Sequence, residues 1–108
     1  MRGFMKISQE NYQQSRVVKI EAESINFLDA PQLKELFDAF HSSPSMDLSL
    51  DLSEVFMMDS SAVGILLSYY RKLVEKGKNM KIIAVSRQLL GIFKLMKVDR
   101  LLSIPVDS

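Results

Sequence analysis

Asp51-Leu52-Ser53-Glu54-Val55-Phe56-Met57-Met58-Asp59-Ser60-Ser61-Ala62-Val63-Gly64 runs from the end of an apolar strand into the start of a long amphipathic helix. The polar tripeptide Asp59-Ser60-Ser61 marks the junction. Asp and Ser side-chain oxygens satisfy the unpaired N–H groups of a helix's first turn, so these residues read as an N-cap. The same place carries the positive end of the helix dipole, where an anion such as a phosphate sits comfortably. Asp59 is an ordinary carboxylate and a poor base for a serine hydroxyl, so its reading is capping or guidance of a partner's recognition. Phe56, Met57 and Met58 divide between core and an adaptable contact surface, for which flexible, polarizable methionine is suited.

Outward from this stretch the periodicities are clear. Upstream, Met46, Leu48, Leu50 and Leu52 alternate with Asp47, Ser49 and Asp51. A parallel strand covered on both faces would be apolar throughout, so this alternation predicts helices mainly on one face of the sheet. Downstream, Val63, Leu66, Leu67, Tyr70, Leu73 and Val74 follow helical spacing to a closing Gly77. Near the start, Phe4–Ser8 and Arg16–Ala22 read as two paired strands separated by the polar Gln9-Glu10-Asn11. Asp29 reads as the N-cap of a helix with Pro31 in its first turn and Leu33, Leu36, Phe37 and Phe40 on one stripe. His41-Ser42-Ser43-Pro44-Ser45 is a turn-rich connector. After it come the strand at 46–52, a strand at Met80–Val85, a helix capped by Ser86 with Leu89, Ile92, Phe93 and Met96 inward, and a last strand at Leu101–Val106 that Pro105 limits. The expected fold class is α/β, a mixed sheet of four to five strands in the order ββαβαβαβ.

The pattern Leu-Asp-Leu-Ser-x-Val-x-x-Met-Asp-Ser-Ser-x-x-Gly, at Leu50–Gly64, resembles the signature of the STAS domain family, specifically its stand-alone anti-sigma factor antagonists. Ala30, Leu33 and Lys34 upstream and Ser86 and Phe93 downstream fall where that family places its first and last helices, so the resemblance covers roughly the whole chain. It implies a single STAS domain over residues 1–108 with Ser60 as the site phosphorylated by a partner anti-sigma kinase. It also implies a partner-binding surface drawn from Asn26, Met57, Met58, Asp59, Ser61 and Ala62. The implied partner is an anti-sigma factor serine kinase that supplies the ATP, with a PPM-type phosphatase reversing the mark. In this picture the unphosphorylated protein binds the anti-sigma factor, and phosphorylation releases it, regulating transcription indirectly. The other reading is a STAS subunit of another assembly, such as a lipid-transport complex or stress-signalling scaffold, with no switch. The chain departs from the family at Glu23-Ser24-Ile25-Asn26, where a Gly-x-Leu-Asp turn is usual, and at Ala62, where glycine usually follows the two serines.

Composition narrows the classes. A chain of 108 residues buries about 65% of its unfolded surface and needs no covalent staple. The absence of cysteine excludes disulfides and thiol catalysis and fits the cytoplasm. Fourteen basic and thirteen acidic residues give a net charge of +1, so no global field draws the chain to nucleic acid or an anionic surface. The basic group Arg71, Lys72, Lys76, Lys78 and Lys81 is interrupted by Glu75 and reads as a solvated helix end. Apolar runs fall well short of the roughly 18 residues of a membrane span. His41 lies far along the chain from Ser60 with no nucleophile elbow, so a serine hydrolase is not expected. Asp47 and Asp51 sit on a wet strand face and form no metal cluster, and the four glycines make no nucleotide loop. No catalytic residue, metal or cofactor is expected, and the chain reads as a binding protein.

Overall fold

The computed structural model describes residues 4–102 and 104. Strands β1 (Lys6–Tyr12), β2 (Ser15–Glu21), β4 (Asp47–Leu52) and β6 (Asn79–Val85) form a four-stranded mixed sheet in the order β1-β2-β4-β6. The first pair is antiparallel and the other two are parallel. Two short strands, β3 (Ser24–Ile25) and β5 (Met57–Met58), pair in parallel as a separate ladder. A 3₁₀ turn at Phe27–Asp29 leads into α1 (Ala30–Ser42), and α2 (Ser60–Glu75) and α3 (Arg87–Leu95) follow the later strands.

Alternation dictates the layering as expected. Leu48, Leu50 and Leu52 are buried with Val18, Ile20, Met80 and Ile82, while Asp47, Ser49 and Asp51 on the opposite face keep access to water. Leu33, Leu36, Phe37 and Phe40 of α1 and Val63, Leu66 and Leu73 of α2 complete the core on the covered side. On the open face, Lys19 pairs with Glu54 at 2.9 Å and Lys6 with Glu21 at 3.7 Å. Such exposed pairs contribute little to stability and fit a face held in water.

Several elements differ from the sequence reading, each for a local reason. β1 begins at Lys6 and runs through the polar Gln9-Glu10-Asn11, because ladder pairing from Lys6↔Glu21 to Tyr12↔Ser15 decides an edge strand more than side-chain polarity does. His41 and Ser42 still belong to α1, so the connector is shorter than the turn residues suggested. Asp29 makes no side-chain cap for α1; its carboxylate instead accepts from Asn26 N at 2.9 Å, closing a capping box on the 3₁₀ turn. The buried stripe of α2 runs through Tyr69 rather than Tyr70 and Val74: the Tyr69 ring stacks on Phe37 at 5.2 Å and its hydroxyl donates to Asp38 at 2.6 Å. Met96 is partly exposed because α3 ends one residue before it. Leu101 and Leu102 lie in a turn instead of a last strand, and residues 103, 105 and 106 of that expected strand lie outside the described residues.

The end of α2 does more than the basic group suggested. Gly77, at φ +81°, and Lys78 close the helix as a Schellman motif, with Gly77 N bonded to Val74 O and Lys78 N to Leu73 O. Lys78 is only 4% exposed. Its ammonium donates to the carbonyls of Phe40, Ser43 and Ser45 at 2.7, 2.6 and 2.8 Å and lies 4.6 Å from the Phe40 ring. One cation thereby caps the last carbonyls of α1 and pins the connector that enters β4. Burial lowers its pKa from the ordinary lysine value.

Leu66 is 2% exposed in the centre of this packing, and Leu66→Ala is expected to lower unfolding free energy by about 2 to 5 kcal/mol in a urea titration. Tyr69 gives a pH signature. Its hydrogen bond to Asp38, then burial, push its pKa from 10.0 to about 12, so folding favours the protonated ring. That contribution is complete below pH 10.0 and is lost as pH rises toward about 12. Urea midpoints measured across this range should fall more steeply for the wild type than for Tyr69→Phe.

Candidate functional site

The N-terminus of α2 is built by three segments that meet at Asp59. The β3–β5 ladder brings Ser24 opposite Met57 and Ile25 opposite Met58, and Asp59 N donates to Ile25 O at 3.2 Å. Phe56 N and Met57 N both donate to Glu23 O, at 2.8 and 3.2 Å. Asn26 caps the 3₁₀ turn, its Oδ1 accepting from Leu28 N at 2.9 Å. Asp59 then joins the segments. Its Oδ1 accepts from Ala62 N at 2.9 Å as the N-cap of α2, and its Oδ2 accepts from Phe27 N at 3.0 Å. One carboxylate thus satisfies a donor in the helix it starts and another 32 residues before it in sequence.

Ser60 and Ser61 occupy the first two positions of α2, and both are exposed. The segments that meet at Asp59 also carry four exposed apolar side chains: Phe27 and Leu28, 64% and 59% accessible, with Phe56 and Met57. Of the residues singled out in the sequence, Asn26, Met57, Asp59, Ser60 and Ser61 are therefore brought together with accessible surface. Met58 and Ala62 are not: both side chains are buried in the core, and the Ala62 methyl packs inward rather than crowding the serines. Their place is to hold β5 and α2 in position. Phe27 and Leu28 were missed by sequence reading, because a pair of apolar residues before a helix looks like core. The signal that points to them is Asn26 with Asp29 three residues on, a capping box that turns the intervening side chains outward.

Among the described residues no group of three or more His, Asp or Glu side chains is placed to hold a metal. His41 lies at the far end of α1, where its carbonyl accepts from Lys76 Nζ at 2.7 Å. Among the described residues no helix is long and apolar enough to cross a membrane.

Comparison with known proteins decides the family. The family described as Mlab, STAS domain, matches residues 9–103. The chain belongs to the STAS domain family. Among curated STAS relatives, the anti-sigma-B factor antagonist of Listeria monocytogenes is 24% identical over 83 residues, covering 77% of this chain and 73% of the relative. The same protein of Listeria innocua matches to the same extent. Among solved structures, an anti-sigma factor antagonist from Mycobacterium paratuberculosis superposes with a TM-score of 0.79 at 23% identity, over 94% of this chain and 86% of that one. The anti-sigma factor antagonist SpoIIAA in its unphosphorylated form gives 0.69 at 16% identity, over 94% and 100% of the two chains. The Bacillus cell fate determinant SpoIIAA in the phosphorylated form gives 0.68 at 13%, over 94% and 93%. These likenesses establish a shared STAS fold. In this STAS domain Asn26, the last residue of the Glu23–Asn26 segment, performs the cap of the 3₁₀ turn.

Asn26→Ala should cost about 1 kcal/mol of stability, whereas Asn26→Asp, another good cap, should stay near the wild type. Chemical denaturation of the three proteins checks both expectations.

Proposed function

We propose that this STAS domain, a single domain over the whole chain, is a phosphorylation-controlled anti-sigma factor antagonist that acts by binding rather than by catalysis. Unmodified, it engages an anti-sigma factor through Phe27, Leu28, Phe56, Met57 and the two serines, and so frees a sigma factor in the cytoplasm. The anti-sigma factor is a serine kinase that brings its own ATP and phosphorylates Ser60, which releases the complex; a PPM-type phosphatase restores the unmodified form. The observation that carries this reading is the exposed Ser60 beside a carboxylate-fixed N-cap, with exposed apolar side chains on the segments that the Asp59 junction joins. The names of the Listeria and mycobacterial relatives, and the existence of phosphorylated and unphosphorylated SpoIIAA, support it.

The physics favours a switch read by the partner. Phosphorylation adds about −1.5 to −2 charge at neutral pH. At a helix N-terminus the dipole tolerates that charge, so the domain stays folded. On an apolar contact surface the same charge is costly to desolvate, so the complex is what loses stability.

Ser60→Ala should fold, because a lost hydroxyl at the start of a helix costs at most about 2 kcal/mol and Asp59 keeps the cap. It should retain the partner and lose release. Ser60→Asp should weaken binding less than a true phosphate does, having one charge and two oxygens. Incubation with the cognate kinase and ATP, followed by mass spectrometry, should find phosphate on Ser60, including in Ser61→Ala. Phosphate on Ser61 would move the site by one residue, and none on either serine would leave a permanent STAS subunit of another assembly as the reading.

A further inference from the structure

The turn that follows α3 carries a second exposed surface that shares no residue with the α2 site. Leu95, the last residue of α3, is 85% exposed, Leu101 is 60% exposed, and Met96 between them is also open. Lys94, Lys97 and Arg100 are exposed and, with Asp99, line one shallow cleft. Leu101 also closes an apolar groove of about 300 Å³ against Leu67, Tyr70, Val74 and Arg71 of α2, with Glu75 at its edge. From Arg87 to Leu101 there are four cations and one anion, a local charge of +3 in a chain whose net charge is +1. Among the described residues none of these cations is held in an ion pair; the pairs present are Lys6–Glu21 and Lys19–Glu54.

The backbone presents these side chains from a fixed frame. Lys97, at φ +61°, closes α3 with its N–H on Lys94 O at 3.1 Å, and Val98 N reaches Phe93 O at 3.0 Å. Val98 and Leu102 are buried, and Leu102 N bonds to Val98 O at 3.1 Å. The apolar tips therefore point outward from an anchored turn, so their exposure is a property of the fold and not of a frayed end.

We propose that this corner docks on the surface of an anionic lipid bilayer, with Leu95 and Leu101 entering the interface and Lys94, Lys97 and Arg100 reaching headgroup phosphates. Leucine tips interleaved with long basic side chains match an interfacial contact, where the stems lie along acyl chains and the cations reach the headgroups. A second copy is disfavoured, since a two-fold contact sets this patch against itself and cation against cation. The cores of protein–protein interfaces are depleted of lysine and anchored by aromatic residues or arginine; of the exposed residues from Lys94 to Leu101 only Arg100 is of that kind, Tyr70 and Arg71 lying in the adjoining groove. The expected association is weak, reversible and salt-sensitive, because each cation near such a surface strengthens partitioning by roughly fivefold and is screened by salt.

The test is co-sedimentation of the full chain with vesicles of phosphatidylcholine alone and of phosphatidylcholine with added phosphatidylglycerol. Wild type should bind the anionic vesicles at low salt, bind the neutral ones much less, and dissociate as salt rises. Leu95→Ser should weaken binding about tenfold, and Lys94→Glu with Arg100→Glu by a larger factor, with unchanged circular dichroism and thermal midpoint. Lys94→Gln with Arg100→Gln serves if charge reversal perturbs the helix end. No binding to anionic vesicles overturns the proposal and points to an acidic protein as the occupant. Equal binding by folded variants, or equal binding to neutral vesicles, overturns it as well. All of these variants keep Ser60 and its surroundings, so the outcome is independent of the switch.

Discussion

The carboxylate of Asp59 is the constraint on which the site depends. Its two oxygens accept from Ala62 N and Phe27 N, so the start of α2 and the 3₁₀ turn before α1 share a single anchor. Each amide would otherwise be an unpaired donor at a helix end. A charged acceptor makes such bonds stronger than neutral pairs, and its fixed position sets the angle at which Ser60 leaves the surface. The β3–β5 ladder works with it. Two residues per strand make a weak ladder alone, but Ile25 and Met58 bury their side chains there, so apolar packing and the carboxylate hold the same junction.

The exposed candidate site and the packed core are thereby separated in space. The core lies on one side of a sheet whose other face is wet, and the α2 N-terminus emerges at the margin where two loops meet. Ala62 and Met58 face the core, while Ser60, Ser61 and Met57, their sequence neighbours, face water. A charge placed on Ser60 would therefore fall on exposed surface and not on the packed core. Lys78 belongs wholly to the stability side, its ammonium tying together the carbonyls of Phe40, Ser43 and Ser45 where α1 passes into its connector.

Much of this was legible in the sequence, and the reasons are local. Alternation in 46–52 determined the one-sided sheet; helical spacing determined α1, whose Leu33, Leu36, Phe37 and Phe40 are all buried. Asp59 and Ser86 cap the helices they precede, as short polar side chains there should, with Ser86 Oγ accepting from Leu89 N at 3.0 Å. What escaped reading depends on partners distant in the chain. Lys78 looked like one member of a solvated basic group, because the end of α1 that needs it lies more than 30 residues earlier. Tyr69 and Tyr70 are equivalent by spacing, and only Phe37 and Asp38 choose between them. β3 and β5, two residues each, are too short for any period to show.

The resemblance of the Leu50–Gly64 pattern to the STAS signature agreed with the fold, and the departures from it have physical answers. Ala62 is accommodated because its methyl points into the core. Asn26 caps as an aspartate would, so the exposed turn of Phe27 and Leu28 is preserved without the usual residues before it. The account rests on Asp59 holding two segments at once, and amide hydrogen exchange on the wild type and Asp59→Ala tests this most directly. Exchange at both Phe27 and Ala62 should accelerate together in the variant, while Leu66 in the middle of α2 stays protected. Acceleration at Ala62 alone would show an ordinary helix cap and contradict the shared anchor.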